Sequence, residues 1–117
     1  MPHNIEGLDI YKRAHLLTIG IYRVTREFPK EELYGLVSQM RRAAVSINSN
    51  LMEGGHRNSD GEYKNFIGIA LGSIAELKYQ VLVSKDLNYI TYELFCKINK
   101  ELKEIESMLV GLNKSIK

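Results

Sequence analysis

The sequence predicts an all-α protein that folds as an antiparallel, up-down-up-down four-helix bundle. Apolar residues recur at intervals of three and four along four successive segments, which is the spacing of one face of a helix. The connections between these segments are short, and no segment alternates with the two-residue period of a strand. A chain of 117 residues corresponds to one domain, 1–117, with helices at about 8–28, 32–54, 60–87 and 91–115.

The first helix is predicted from one apolar face that ends at a proline. Pro29 disfavours helical geometry at the residue before it, so the helix should end at Phe28. The core-facing residues of this helix should be Ile10, Ala14, Leu17, Ile21, Val24 and Phe28.

The second helix is predicted to start near Glu32 and to end at a pair of glycines. Gly54 and Gly55 tolerate the left-handed backbone that closes many helices at their carboxyl end. Its core-facing residues, again three and four apart, should be Leu33, Val37, Met40, Ala44, Ile47 and Leu51.

Side-chain caps predict where the third and fourth helices begin. Ser59 and Glu62 form a Ser-x-x-Glu capping box, and Thr91 follows a predicted turn as the cap of the fourth helix. The third helix should bury Tyr63, Ile67, Ala70, Ile74, Leu77 and Val81. The fourth helix should bury Phe95, Ile98, Leu102, Ile105, Leu109, Leu112 and Ile116.

A continuous polar stripe runs along the second helix, well round from its apolar face. Most of its side chains are of the Ser, Asn and Gln types, which hydrogen-bond at short range, whereas a solvated face is usually rich in Lys and Glu. We expect these side chains to form a hydrogen-bonded network between helices or between subunits. The alternatives are plain solvent-exposed surface or a ligand site. The stripe consists of Gln39, Arg42, Ser46, Asn50 and Glu53.

Further large apolar residues lie outside the four core faces. Contiguous exposed apolar surface usually marks an interface, so this second set favours self-association, although single surface Leu and Tyr residues are also normal. Gly68 and Gly72 make a smooth strip on the third helix, which suits either close packing within one bundle or a contact between subunits. The remaining candidate interface residues are Leu8, Tyr11, Ile19, Tyr22, Tyr34, Val45 and Met52.

No catalytic or metal-binding constellation is predicted. Glu53-x-x-His56 resembles the Glu-x-x-His pairs of di-iron bundles, but such a site needs two of these pairs and two further carboxylates. Ser46 and His56 lie about 15 Å apart along one helix, too far to act as a nucleophile and its base. His3 is expected in an amino-terminal tail, and Cys96 is alone, so we expect no internal disulfide, no cysteine-based zinc site and no cofactor.

Charge and targeting signals point to a cytoplasmic protein with a weak electrostatic attraction for nucleic acid. The formal net charge is +2, whereas a dedicated nucleic-acid binder usually carries a strong basic stripe. Neither a signal peptide nor an apolar run of membrane-spanning length is evident, so no membrane partner is expected. The candidate residues for nucleic-acid binding, for which a plain solvated face is the alternative, are Lys12, Arg23, Arg26 and Arg41.

Four stretches resemble motifs of one bacterial family, the 23S rRNA intervening-sequence proteins. Residues 28–36 resemble its FP-x-E-E-x-Y-G-L start, and residues 39–47 are similar to its Q-x-R-R-A-A-x-S-I signature. Residues 50–54 match N-I-x-E-G and residues 69–77 match I-A-x-G-S-x-x-E-L, so the likeness extends from about Leu8 to Ile116. Asn48 is a departure, because the family often has proline there.

The resemblance implies a ring-like homopentamer of antiparallel bundles without catalytic activity. A related group, the accessory proteins of diversity-generating retroelements, is strongly basic and works with a reverse transcriptase and nucleic acid, whereas this chain is much less basic. Two hypotheses therefore compete, and an iron or small-molecule site in the bundle ranks far below them. The first is a non-enzymatic scaffold or interaction module that binds itself and another protein. The second is a module whose oligomer offers a basic face to RNA or DNA.

Overall fold

Four long helices pack around one core in the computed structural model, which describes residues 3–116. The helices are α1 (Asp9–Thr25), α2 (Ser38–Gly55), α3 (Asp60–Asp86) and α4 (Tyr92–Ser115). α1 packs mainly against α2 and α4, and α3 packs against the same two helices, in a bundle of 45 × 25 × 20 Å. The all-α prediction is confirmed, since no strand occurs between residues 3 and 116. Residues 1, 2 and 117 of the predicted domain lie outside the described range.

The core consists of the apolar faces that the sequence predicts, with one clear exception. Every core residue predicted for α3 is buried, and so are the central residues of the predicted faces of α1, α2 and α4. Burial of these side chains is the main stabilising effect, because each fully buried Leu or Ile contributes roughly 1.5–3 kcal/mol. The exception is Leu33, which is 47% exposed although the sequence places it in the core.

An irregular turn before α2 explains why Leu33 leaves the core. Lys30–Glu32 form a 3-10 turn, and Leu33–Val37 form a wider, π-helical turn in which Gly35 has non-helical backbone angles (φ −116°, ψ −108°). Because a π turn takes in one extra residue, the residues before it are rotated by about 100° relative to the face of α2. The regular helix therefore begins at Ser38 rather than near residue 32, and Leu33 is exposed while Val37 stays buried.

Side-chain caps start α3 and α4 as predicted. Ser59 Oγ accepts a hydrogen bond from the Glu62 N–H at 3.1 Å and donates one to the Glu62 carboxylate at 3.2 Å. Thr91 Oγ1 accepts a bond of 3.1 Å from a backbone N–H in the first turn of α4. α1 ends at Thr25, before the predicted Phe28, because the Phe28 N–H bonds to the Thr25 carbonyl at 3.2 Å in a tighter, three-residue turn.

The amino-terminal segment packs onto the end of α2, so the prediction of a tail at His3 is wrong. The His3 N–H donates to the Gly55 carbonyl oxygen at 2.7 Å, and the His3 ring centroid lies 4.4 Å from that of Tyr63. Ile5 is buried, and its side chain covers the backbone of Gly55. No glycine among residues 3–116 has a positive φ, so the predicted left-handed end of α2 is also wrong. The glycine pair instead permits close approach of neighbouring groups.

α3 carries apolar residues on its outer face as well as on its core face. Within residues 3–116 it is the one helix that is long and apolar enough to cross a membrane by length and composition, whereas the sequence was expected to contain no apolar run of that length. Its core face packs against α2 and α4, so this composition reflects a core helix with a second apolar face. The bundle leaves that second face uncovered.

Replacing Gly54 by alanine should destabilise the fold, because the added Cβ would lie 2.6 Å from Phe66 Cβ and 3.1 Å from Tyr63 Cδ1. We expect the free energy of unfolding, measured by urea denaturation, to fall by about 1–3 kcal/mol. Gly111→Ala is the matched control: its Cβ would meet no atom within 4 Å, so it should be neutral or stabilise by up to about 1 kcal/mol. Equal stability of the two variants would contradict the close approach at Gly54.

Candidate functional site: the surfaces of α1, α2 and α3

The polar stripe of α2 contacts α3 at two levels. Arg42 Nη2 donates to the Glu76 carboxylate at 3.1 Å and to the Gln39 side-chain oxygen at 2.7 Å. One turn further along α2, the hydroxyls of Ser46 and Ser73 hydrogen-bond to each other. These two contacts favour one register of α2 along α3, because any slide of one helix would separate both pairs.

The remainder of the stripe bonds within α2 or its immediate neighbourhood. Asn50 Nδ2 donates to the Ser46 carbonyl oxygen at 2.7 Å and is half-buried. Glu53 is exposed and accepts from Arg57 at 3.1 Å, four residues along the chain. Exposed ion pairs contribute roughly 0–1 kcal/mol to stability. The stripe is therefore a helix–helix contact from Gln39 to Ser46 and ordinary surface at Glu53.

Sequence reasoning missed Ser73 and Glu76, which are the partners of the stripe on α3. Facing pairs in antiparallel helices have residue numbers with a nearly constant sum, and Arg42–Glu76 and Ser46–Ser73 follow this rule. This rule could have identified Ser73 and Glu76 from the sequence, once α2 and α3 were recognised as antiparallel neighbours. All four residues lie in stretches that resemble family motifs, so these motifs describe the surface where α2 meets α3.

A groove of about 590 Å³ between α1 and α2, called here the α1/α2 groove, collects most of the predicted interface residues. Thr18 and Asn48 also line it and tie the two helices together. Thr18 Oγ1 donates to the Ala44 carbonyl oxygen at 3.1 Å, and Asn48 Nδ2 donates to that of Tyr11 at 2.8 Å. The predicted interface residues that line the groove are Tyr11, Ile19, Tyr22, Val45 and Met52.

The other two predicted interface residues from the first half of the chain lie apart from this groove. Tyr34 is 92% exposed and shares an adjoining depression of about 510 Å³ with Tyr22, Leu33 and Arg41. Leu8 is half-buried and packs against the core. The π-helical turn that displaces Leu33 thus also presents Tyr34 to the surface.

Gly68 and Gly72 of α3 face away from the rest of the bundle. A Cβ added at Gly68 or Gly72 would meet no atom within 4 Å, so close packing within one bundle does not account for them. Exposed apolar residues lie beside them, including Ile69 and the 67% exposed Tyr79. Together these four residues form the α3 strip, a smooth apolar surface on a different side of the bundle from the α1/α2 groove.

Arg41 differs from the other candidate nucleic-acid contacts. Its Nε donates to Thr25 Oγ1 at 3.0 Å, and its Nη2 donates to the Tyr22 carbonyl oxygen at 3.3 Å. Its guanidinium also lies 4.7 Å from the centroid of the Tyr22 ring, so Arg41 packs against the carboxyl-terminal end of α1 and hydrogen-bonds to it. Within residues 3–116, no ion pair involves the other three candidates, the exposed Lys12, Arg23 and Arg26.

Shifted pKa values occur where helices meet. Arg13 binds the Glu101 carboxylate at 2.9 and 3.0 Å and also contacts Glu104, and its hydrogen bonds hold the pKa of the Glu104 carboxyl below its usual value. The Tyr89 hydroxyl donates to Glu32 at 2.8 Å, which raises the pKa of Tyr89. No three His, Cys, Asp or Glu side chains gather as metal ligands in the described part of the chain.

The Arg42–Glu76 contact predicts a small, measurable coupling between α2 and α3. In a double-mutant cycle, Arg42→Ala and Glu76→Ala together should destabilise less than the sum of their separate effects, by about 0.2–1 kcal/mol. High salt should reduce this coupling, because both side chains are exposed. A coupling of zero at low salt would show that Arg42 is merely solvated surface.

Comparison with known proteins gives one family and a structural neighbour. The family model described as 23S rRNA-intervening sequence protein matches residues 6–111. No curated protein matches the sequence. The chain is similar to the crystal structure, at 1.70 Å resolution, of a protein with unknown function from the S23 ribosomal protein family of Bacteroides thetaiotaomicron VPI-5482.

The structural likeness covers nearly the whole of both chains. The TM-score is 0.83, with 24% sequence identity over 90% of this chain and 95% of that chain. At this identity the likeness shows the fold alone, and the neighbour itself has no known function. The family match is the stronger finding, because it spans residues 6–111. The chain therefore belongs to the family of 23S rRNA-intervening sequence proteins.

Proposed function

We propose that this chain is a non-enzymatic scaffold whose copies assemble side by side, each placing its α3 strip in the α1/α2 groove of the next. One observation carries the proposal: a single bundle exposes two apolar surfaces of different shape on different sides. Contiguous exposed apolar surface usually marks an interface. Two such surfaces that fit each other suit a contact between copies of the same chain.

The shapes of the two surfaces support this pairing. The α1/α2 groove is concave and is lined by Tyr11, Tyr22 and other large side chains. The α3 strip has no side chain at Gly68 and Gly72, so atoms of another chain can approach the backbone of α3 closely. A helix without side chains at these two positions can enter a groove lined by aromatic residues without displacing the aromatic side chains.

The levels of the two surfaces along the bundle also agree. α1 and α3 run in the same direction, because one antiparallel helix separates them in the chain. Asn48 of α2 bonds to the Tyr11 carbonyl oxygen on α1, and Ser46, two residues away on α2, bonds to Ser73 on α3. At a rise of 1.5 Å per residue, Tyr11 in the groove therefore lies within roughly 3 Å of the level of Ser73, beside Gly72 of the α3 strip. Copies related by rotation about an axis along the bundle would therefore meet groove to strip without sliding.

A contact between unlike surfaces leads to a ring if the rotation closes, and to an open filament if it does not. The family resemblance implies five copies, so the proposed assembly is a ring-like homopentamer. Such a ring would cover both apolar surfaces of every copy and leave the outward sides of the bundles for a partner protein.

Nucleic-acid binding is the second candidate. It is favoured by the exposure of Lys12, Arg23 and Arg26, which form no ion pair with any residue from 3 to 116. A ring would repeat these cations in each subunit. Arg41 contributes less to such a face, because its donors already bond to Thr25 and Tyr22. Without a base-reading element, binding would be weak and largely independent of sequence.

Val45→Glu should disrupt assembly without unfolding the chain. Val45 lies in the groove but is 41% exposed in the single copy, so a carboxylate there opposes apolar contact between copies rather than core packing. Light scattering should give five subunits for the parent protein and a smaller mass for the variant, with unchanged helicity by circular dichroism.

Leu16→Glu is the control for this variant. Leu16 is also on α1 but is 70% exposed and does not line the groove, so the variant should keep the mass of the parent protein. A monomeric parent at micromolar concentration would contradict the assembly. Loss of helicity in Val45→Glu would instead place Val45 in the core.

Titration of RNA and duplex DNA decides the second candidate. If phosphates bind Arg23 and Arg26, the dissociation constant should be roughly 10⁻⁴–10⁻⁶ M at physiological salt. Arg23→Ala should reduce the slope of the logarithm of affinity against the logarithm of salt concentration by about one, the value for one phosphate contact. Lys114→Ala removes the same charge from the far end of α4 and should have a smaller effect. No binding at low salt would remove this candidate and leave the scaffold.

A further inference from the structure

A narrow apolar slot lies between α1 and α4, on the side of α1 away from the α1/α2 groove. Its volume is about 270 Å³, close to the lower limit of small-molecule sites. Two charged residues, the exposed Lys97 and the half-buried Glu101, also line it. Its apolar walls are formed by Leu17, Ile21, Val24, Leu94 and Ile98.

The slot exists because α1 has a glycine where a side chain would fill the gap. A Cβ at Gly20 would meet no atom within 4 Å, so no close approach of another group requires glycine there. Glycine inside a helix is destabilising relative to alanine, and Gly20 lies well inside α1. α1 and α4 also share the smallest contact among the four main pairs of neighbouring helices, which leaves this seam partly open.

Lys97 contributes a positive charge to the lining of the slot. Glu101 follows Lys97 by four residues, a spacing that allows an ion pair on one helix face. Arg13 instead holds the Glu101 carboxylate through bonds of 2.9 and 3.0 Å. Among residues 3–116 no ion pair involves Lys97, so its ammonium group is available to an anion.

We propose that this slot binds a small amphipathic carboxylate, with its alkyl chain between α1 and α4 and its carboxylate on the Lys97 ammonium group. The apolar walls match an alkyl chain, and the Lys97 ammonium group, which forms no ion pair within residues 3–116, complements a single negative charge. Glu101 is paired with Arg13, and Lys100 acts together with Arg13 on the neighbouring Glu104, so the repulsion between these carboxylates and the ligand is reduced. The inference is independent of the proposed assembly, since the slot shares no lining residue with the α1/α2 groove.

Calorimetric titration of the full chain with sodium octanoate, below its micellar range, tests the proposal. Octanoate should bind at a saturable site in each subunit. Hexanoate should bind more weakly, by about fourfold for each methylene removed, because each methylene that enters the slot removes apolar surface from water and so favours binding. 1-Octanol should bind more weakly than octanoate, since it lacks the charge.

Variants separate the slot from non-specific binding. Gly20→Leu should fill the gap, reduce octanoate affinity at least tenfold, and keep or raise the melting temperature. Gly111→Leu is the matched control, because Gly111 is equally open but lies outside the slot, and it should bind as the parent does. Lys97→Met should weaken octanoate by about two- to fivefold, the range of an exposed ion pair, and leave 1-octanol unchanged.

Three results would overturn the proposal. The first is no octanoate binding by the parent protein at millimolar concentration, as would follow if another copy or a partner filled the slot. The second is equal binding by Gly20→Leu and the parent, which would place the ligand elsewhere. The third is equal affinity for octanoate and 1-octanol together with an unchanged Lys97→Met variant, which would leave an apolar crevice without recognition of the carboxylate.

Discussion

Helix α3 carries apolar residues on two faces, and the bundle covers only one of them. The covered face supplies the centre of the core and packs against α2 and α4. The Arg42–Glu76 ion pair and the paired hydroxyls of Ser46 and Ser73 add polar contacts that match this register between α3 and α2. A helix with two apolar faces leaves one of them in water unless another chain covers it, and this requirement links the fold to the proposed function.

The uncovered face of α3 leads to a proposal of self-assembly because a fitting surface is present on the same chain. The α1/α2 groove differs from the α3 strip in shape, so contact between copies would join unlike surfaces rather than one surface to itself. Contacts of that kind propagate from copy to copy, whereas contact of a surface with itself stops at two. The slot between α1 and α4 lies elsewhere, so an assembled ring and a bound small molecule are compatible.

Local sequence patterns were sufficient for most of the fold. The spacing of buried residues is a property of the helix itself, and a cap depends on residues within one turn, as at Ser59 and Thr91. Leu33 could not be placed in this way, because the π-helical turn at Gly35 interrupts the helical phase that the pattern assumes. His3 was misplaced because its partners, Gly55 and Tyr63, are distant in the sequence.

The candidate site was predicted in part for the same reason. The stripe on α2 was visible as a pattern on one helix, but its partners Ser73 and Glu76 depend on the register between two helices. The role of Arg41 was hidden because the end of α1, where Thr25 accepts its hydrogen bond, comes beside it only in the folded bundle. The slot at Gly20 could not be predicted from the sequence, since the sequence does not show whether the space beside a helical glycine is empty or filled by another group.

Disulfide trapping between subunits tests the central claim most directly. In a Cys96→Ser background, chains with Gly72→Cys and chains with Tyr11→Cys, the groove residue at the level of Gly72, are co-expressed, mildly oxidised and separated by mass. Contact between groove and strip predicts disulfides between the two kinds of chain and none within either kind, because a disulfide needs Cα atoms about 4.4–6.8 Å apart. Disulfides between like chains, with none between unlike chains, would contradict it.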